Sequence, residues 1–170
     1  ASPYTDPKTG KDYPNNDERF IFYNRAVVQV LGLLGWKPDV IHCNDWQTGL
    51  IPAYLKTIHS KDPLLSTVKS VFTIHNLAYQ GLFPYKSFLK TGLPDAIYNT
   101  DGVEYFDQFS FLKTGLMYSD SITTVSEKYA EEICTTNEYG YGFEGILKKR
   151  KKDLKGILNG VDYTVWNPER

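Results

Sequence analysis

The feature that most constrains this chain is a repeated order of short apolar runs of strand length, each emptying into polar residues and most of them followed by a helical period. Asp17 to Leu34 carries apolar residues at Phe20, Ile21, Ala26, Val27, Val30, Leu31 and Leu34, the spacing of a helix with one buried face, and Asp17 is available as its cap. Gly35 and Pro38 stop that helix, and Asp39-Val40-Ile41-His42-Cys43 reads as a strand ending in Asn44-Asp45. Thr48 to Thr57 reads as a helix, and Ser70 to Ile74 as a second strand that runs into His75-Asn76. Asp107 to Tyr118 is helical by the spacing of Phe109, Leu112 and Leu116. Ser121 to Val125 is a third strand, and Ser126 suits the N-cap of a helix over Glu127 to Cys134. Glu144 to Lys152 reads as a basic-tailed helix, and Gly156-Ile157-Leu158 as a fourth strand leading into Asn159-Gly160.

Alternation of this kind requires crossover connections, hence a parallel sheet with helices on both faces: an α/β, Rossmann-like, doubly wound architecture. Ligands of such sheets bind outside the carboxyl ends of the strands. Four segments far apart in sequence therefore converge on one rim, with Asp45 and Trp46, His75 and Asn76, Ser126, and Asn159 as its polar residues. The stretch from Leu77 to Asp107, with Gln80-Gly81 and Phe83-Pro84, is an insertion expected to cover or rim the pocket. Residues 1–16, rich in Pro, Gly, Asn, Asp and Lys, read as an extended lead-in to a single domain over 17–162.

Charge narrows the partners. Nineteen basic and twenty acidic side chains give a net charge of -1, with no Lys/Arg stripe of face length, which disfavours electrostatic capture of nucleic acid. No run of apolar residues reaches membrane-spanning length, and Ala1-Ser2-Pro3-Tyr4 reads as neither signal nor transit peptide, so a soluble protein without a membrane partner is expected. Cys43 and Cys134 lie in apolar patterns and read as buried free thiols in a reducing compartment. Aromatic residues make up 15%, including 13 tyrosines, which suits either the stacking of sugar rings or an aromatic-rich core and rim.

Other motifs carry less. Lys-Thr-Gly occurs at 8–10, 90–92 and 113–115, but at none of these does a strand-to-helix turn offer the converging N–H groups of a phosphate cradle. His42, Cys43, Asp45 and His75 lack the pairwise spacing of a metal site. A Ser126-His75-Asp45 triad lacks the nucleophile elbow and has the wrong chain order for an α/β-hydrolase. The run Lys148 to Lys152 complements a helix C-terminus and is expected to stay solvated.

The segments Asp39 to Leu50 (DVIHCNDWQTGL), Phe72 to Gly81 (FTIHNLAYQG), Tyr141 to Gly145 (YGFEG), Thr124-Val125-Ser126 and Leu158-Asn159-Gly160-Val161-Asp162, followed by Trp166-Asn167-Pro168, together resemble bacterial glycogen synthases and plant starch synthases. The resemblance implies the later part of the N-terminal, acceptor-side domain of a two-domain GT-B enzyme, with an interdomain crossover beginning at residues 163–170. The implied reaction is retaining transfer of glucose from ADP-glucose to the non-reducing end of an α-1,4-glucan, without cofactor or metal. It further implies His75 and Asp45 as catalytic residues, with Trp46, Asn76, Tyr79, Gln80 and Asn159 as substrate contacts. Asp45 and Asn159 also suit simple caps, and His75 a satisfied buried imidazole. The family's donor-diphosphate loop and C-terminal domain have no counterpart in the sequence, so the chain alone is expected to be inert, a glucan-binding module, or a fragment that self-associates through an open sheet edge. The implied compartment is the cytoplasm for a bacterial parent and the plastid stroma for a plant one.

Overall fold

A computed structural model describes residues 3–168. Helix α1 spans Asn16–Leu34 and ends at Gly35, whose left-handed φ of 58° lets its N–H close on Gly32. Strand β1 is Val40–Asn44, followed by a 3-10 turn at Trp46–Thr48 and helix α2 at Leu50–Lys56. Strand β2 is Lys69–Ile74. The insertion then supplies β3 (Leu82–Pro84), α3 (Tyr85–Phe88), β4 (Glu104–Tyr105) and β5 (Gln108–Ser110). Helix α4 (Phe111–Tyr118), β6 (Ser121–Thr124), α5 (Glu127–Glu132), α6 (Asn137–Gly140), α7 (Glu144–Lys149) and β7 (Leu154–Gly156) complete the order.

The main sheet has four strands in the order β1-β2-β6-β7, and every pair is parallel. Register explains the core. Cys43, Phe72 and Ile122 are direct cross-strand partners, and all three are fully buried together with Leu50, Ala53, Leu112 and Leu116 of α2 and α4. Burial of each large side chain in this layer contributes about 1.5–3 kcal/mol. The opposite face carries a polar row: His42 Nε2 lies 2.6 Å from Thr73 Oγ1, which lies 2.6 Å from Thr123 Oγ1.

One buried side chain ties α1 to this layer. Asn24 is fully buried, its amide donates to the carbonyls of Phe20 and Gln47, and its Oδ1 accepts the N–H groups of Leu50 and Ile51 at 3.1 Å each. The first N–H groups of α2, which no intrahelical carbonyl can reach, are thus satisfied from a neighbouring helix.

Several sequence expectations shift. Asp17 is not the cap of α1: it is buried within the helix, and its carboxylate accepts from Ser87 at 2.7 Å and Lys90 at 2.9 Å, tying α1 to the insertion. Helix α4 begins at Phe111 rather than Asp107, because Phe106 and Asp107 take positive φ values of 48° and 61°, a turn no helix contains. Gln108–Ser110 instead pairs antiparallel with both β3 and β4, so the insertion has its own three-stranded sheet. The fourth strand lies at Leu154–Gly156, earlier than the apolar pair Ile157-Leu158 suggests, and those two are 60% and 78% exposed. The reason is Arg150, which is drawn inward rather than solvated: it donates to the carbonyls of Leu116 and Ser119 at 2.5 and 2.8 Å and to Asp153 at 2.7 Å. That anchor caps the end of α4 and delivers Leu154 to Ile122.

Candidate functional site

The site begins where β1 ends. Asp45 adopts φ 55° and ψ -178°, a conformation that glycine favours. Three bonds hold it there: its N–H donates to Thr73 O at 2.9 Å, its carbonyl accepts the Thr48 N–H at 3.1 Å, and its Oδ1 accepts the His75 N–H at 2.8 Å. The carboxylate thus spans the carboxyl ends of β1 and β2. His75 is exposed beside it, with Nε2 3.0 Å from Asn44 Oδ1. Asn76 folds its own Oδ1 back onto the Ala78 N–H at 2.9 Å, which turns the chain out of the strand.

Trp46, the next residue, lines the cavity from within the packing. It is only 7% exposed, with Phe20, Phe83 and Phe111 around it at centroid separations of 4.8, 5.8 and 5.9 Å. Gly81 closes over the same ring, and a Cβ added there would meet Trp46 at 2.5 Å. Trp46 is therefore a wall of the site rather than an open stacking platform. Gln80 is likewise committed: its side-chain amide donates to Tyr141 O at 2.9 Å, and its main-chain carbonyl accepts the Leu112 N–H at 3.2 Å. The Tyr105 hydroxyl, pushed up in pKa mainly by burial, donates to the same Tyr141 carbonyl at 3.2 Å.

Asp45, Trp46, Asn76, Tyr79 and Gln80 meet in one cavity of about 510 Å³, within the range of ligand sites. His75 stands beside this lining rather than in it, joined to it through Asp45. Asn159 lies outside: it is exposed, beyond β7, three strands from β1 or about 14 Å by strand spacing. Ser126 is used as the cap of α5, accepting the Tyr129 N–H at 3.0 Å.

Sequence reasoning missed the opposite wall. Tyr4, Asp12, Tyr13 and Asn16 of the presumed lead-in complete the lining. Residues 4–13 double back through a Thr5–Asp12 bridge, and Tyr4 O accepts both the Tyr13 N–H at 3.0 Å and the Asn16 amide at 2.8 Å. The Asp-Pro-Lys-Thr-Gly turn between the two tyrosines was the available signal. The lining holds carboxylates, amides and phenols but no Lys or Arg. Such groups hydrogen-bond hydroxyls without offering a cation to a phosphate.

Fold and site together define an α/β domain of the Rossmann-like, parallel-sheet class with a polar cavity at the carboxyl ends of its strands. The chain belongs to the family described as starch synthase catalytic domain, which matches residues 1–149. It is 49% identical to a glycogen synthase of Elusimicrobium minutum over 93% of this chain and 33% of that protein. It is also 51% identical to a glycogen synthase of Thermotoga maritima over 91% of this chain and 32% of that protein. The catalytic domain of starch synthase IV from Arabidopsis thaliana, solved bound to ADP and acarbose, is similar at a TM-score of 0.84 with 31% identity, covering 96% of this chain and 34% of that one. The chain spans about a third of the length of the relatives it matches.

Proposed function

We propose that this chain forms the acceptor-side part of a retaining glucosyltransferase that moves glucose from ADP-glucose to the non-reducing end of an α-1,4-glucan. The observation that carries the reading is the cavity itself, lined by Asp45, Asn76, Tyr79 and Asp12 with no cation, at the carboxyl edge of a starch-synthase-type sheet. Acceptor hydroxyls suit such a wall. In this reading His75 and Asp45 are the catalytic residues, the ring and main chain at residue 75 facing the sugar on which positive charge develops, and Asp45 fixing the peptide between them. The remaining two thirds of the relatives' length would supply the groups that stabilise the departing diphosphate.

The test is titration of the chain with maltoheptaose, followed by tryptophan fluorescence, in parallel with an assay of ADP release from ADP-glucose. Saturable binding without ADP release is expected. Absence of binding would overturn the acceptor-side assignment, and ADP release that disappears in His75→Ala would overturn the division of the site between two parts.

A second reading, self-association, rests on β1 being the outer strand of its sheet, with Val40, Leu33 and Trp36 51%, 85% and 59% exposed nearby in sequence. Unpaired edges beside apolar side chains recruit a second copy. Light scattering after size exclusion is expected to show dimers that grow with concentration; a monomer throughout would remove the reading.

A further inference from the structure

We propose that Asn44 is a positioning residue that fixes the tautomer and ring orientation of His75, leaving Nδ1 as an acceptor for a ligand hydroxyl. This rests on the proposed acceptor-side function for the identity of the ligand, but the positioning itself rests on geometry alone. The Asn44 amide oxygen lies 3.0 Å from His75 Nε2, and an oxygen acceptor at that distance requires Nε2 to carry the hydrogen. In the neutral ring Nδ1 then holds a lone pair, and no hydrogen bond reaches it among the described residues. A lone pair accepts from an O–H and repels a phosphate oxygen, so the ring is set to receive a sugar hydroxyl rather than an anion.

Both partners are held rigidly enough for this to matter. Asn44 is the last residue of β1, in register with Thr73, and its carbonyl accepts the Thr48 hydroxyl at 2.8 Å. His75 follows β2 directly, and its N–H is fixed by Asp45 at 2.8 Å. The ring thus hangs between two neighbouring strand ends, with the Asn44 oxygen on one of its nitrogens.

Long-range nitrogen–proton NMR of the imidazoles, in the whole chain at a pH where the rings are neutral, reads the tautomer directly. Only His42, His59 and His75 need assignment, and His75→Gln identifies the third. The unmodified chain is expected to show a single Nε2–H tautomer at His75. Asn44→Ala is expected to give averaged nitrogen shifts, and Asn44→Asp, which keeps an acceptor oxygen, to restore the Nε2–H form. A Nδ1–H form in the unmodified chain, or Asn44→Ala spectra identical to it, would overturn the proposal. Titration with maltoheptaose separates the two readings: tryptophan fluorescence that does not change while the Nε2–H tautomer holds would count against the acceptor-side function and leave the positioning role standing.

Discussion

The carboxylate of Asp45 accepts the main-chain N–H of His75 at 2.8 Å, joining the ends of two parallel strands through a residue whose own backbone is strained. Asp45→Ala keeps the unfavourable φ and loses the bond, whereas Asp45→Gly loses the bond and relaxes the backbone. Strain of this kind costs about 1–3 kcal/mol and a net hydrogen bond contributes about 0.5–1.5 kcal/mol. Urea denaturation is therefore expected to rank Gly above Ala, while both variants lose maltoheptaose binding. An alanine variant as stable as the glycine one would show that the conformation stores no strain.

Gly81 lies at φ 59° with its α-carbon against the Trp46 ring. Gly81→Ala forces that indole to move and is expected to destabilise the chain by about 1–3 kcal/mol, with a shifted tryptophan emission maximum. Unchanged stability and emission would mean that the ring has room to yield.

Asn24→Leu removes the side-chain oxygen that accepts the N–H groups of Leu50 and Ile51 within the core. Two buried donors left without partners cost about 1–3 kcal/mol each, so chemical denaturation is expected to show one of the largest losses of any single substitution, and amide exchange at residues 50 and 51 is expected to accelerate. Protected amides at both positions in the variant would contradict this.

Acid stability follows from Asp17 and Asp120. Burial alone would raise both carboxyls, but hydrogen bonds from Ser87 and Lys90 to Asp17, and from Lys56 and Ser70 to Asp120, outweigh it and hold both below the ordinary aspartate value. A group with a depressed folded-state pKa contributes its full stability above the unfolded value, about 3.9, and loses it as pH falls through the folded one. Denaturation midpoints are expected to be insensitive to these groups near neutrality and to fall below about pH 4, less steeply in Asp17→Asn and Asp120→Asn. Parallel acid profiles for wild type and variants would exclude both as the source.

The Cys43 thiol, pushed up by burial to about 12, is expected to resist iodoacetamide in the native chain at pH 7.5 and to react only on unfolding. Mass spectrometry of native and denatured samples reads this directly.

The strands at β1, β2 and β6 were legible because Val, Ile, Phe and Thr runs end abruptly in polar residues, and periodicity reports which side chains a layer buries. Where the determinants lie far apart, the sequence is silent. The start of α4 depends on consecutive left-handed residues at Phe106 and Asp107, and phenylalanine has no such local preference. The placement of β7 depends on Arg150 reaching carbonyls at the end of α4, some thirty residues earlier. Among site residues, Asp45 and Asn76 follow from their positions at strand ends, but the burial of Trp46 depends on three phenylalanines from separate segments. Asn159 does not line this cavity because strand order, which the sequence does not carry, sets β7 three strands from β1.

The insertion between β2 and β6 has a consequence for how the molecule assembles. These strands are immediate neighbours, yet residues 75–120 must be looped out before they can pair, and closing a long loop is slow when nothing shortens it. Because that excursion folds onto itself as β3, β4 and β5, its ends are brought near one another locally. Leu82 and Phe83 of β3 also line the cavity, so substitutions at this part of the rim are expected to slow refolding as well as to weaken ligand binding, which stopped-flow refolding checks.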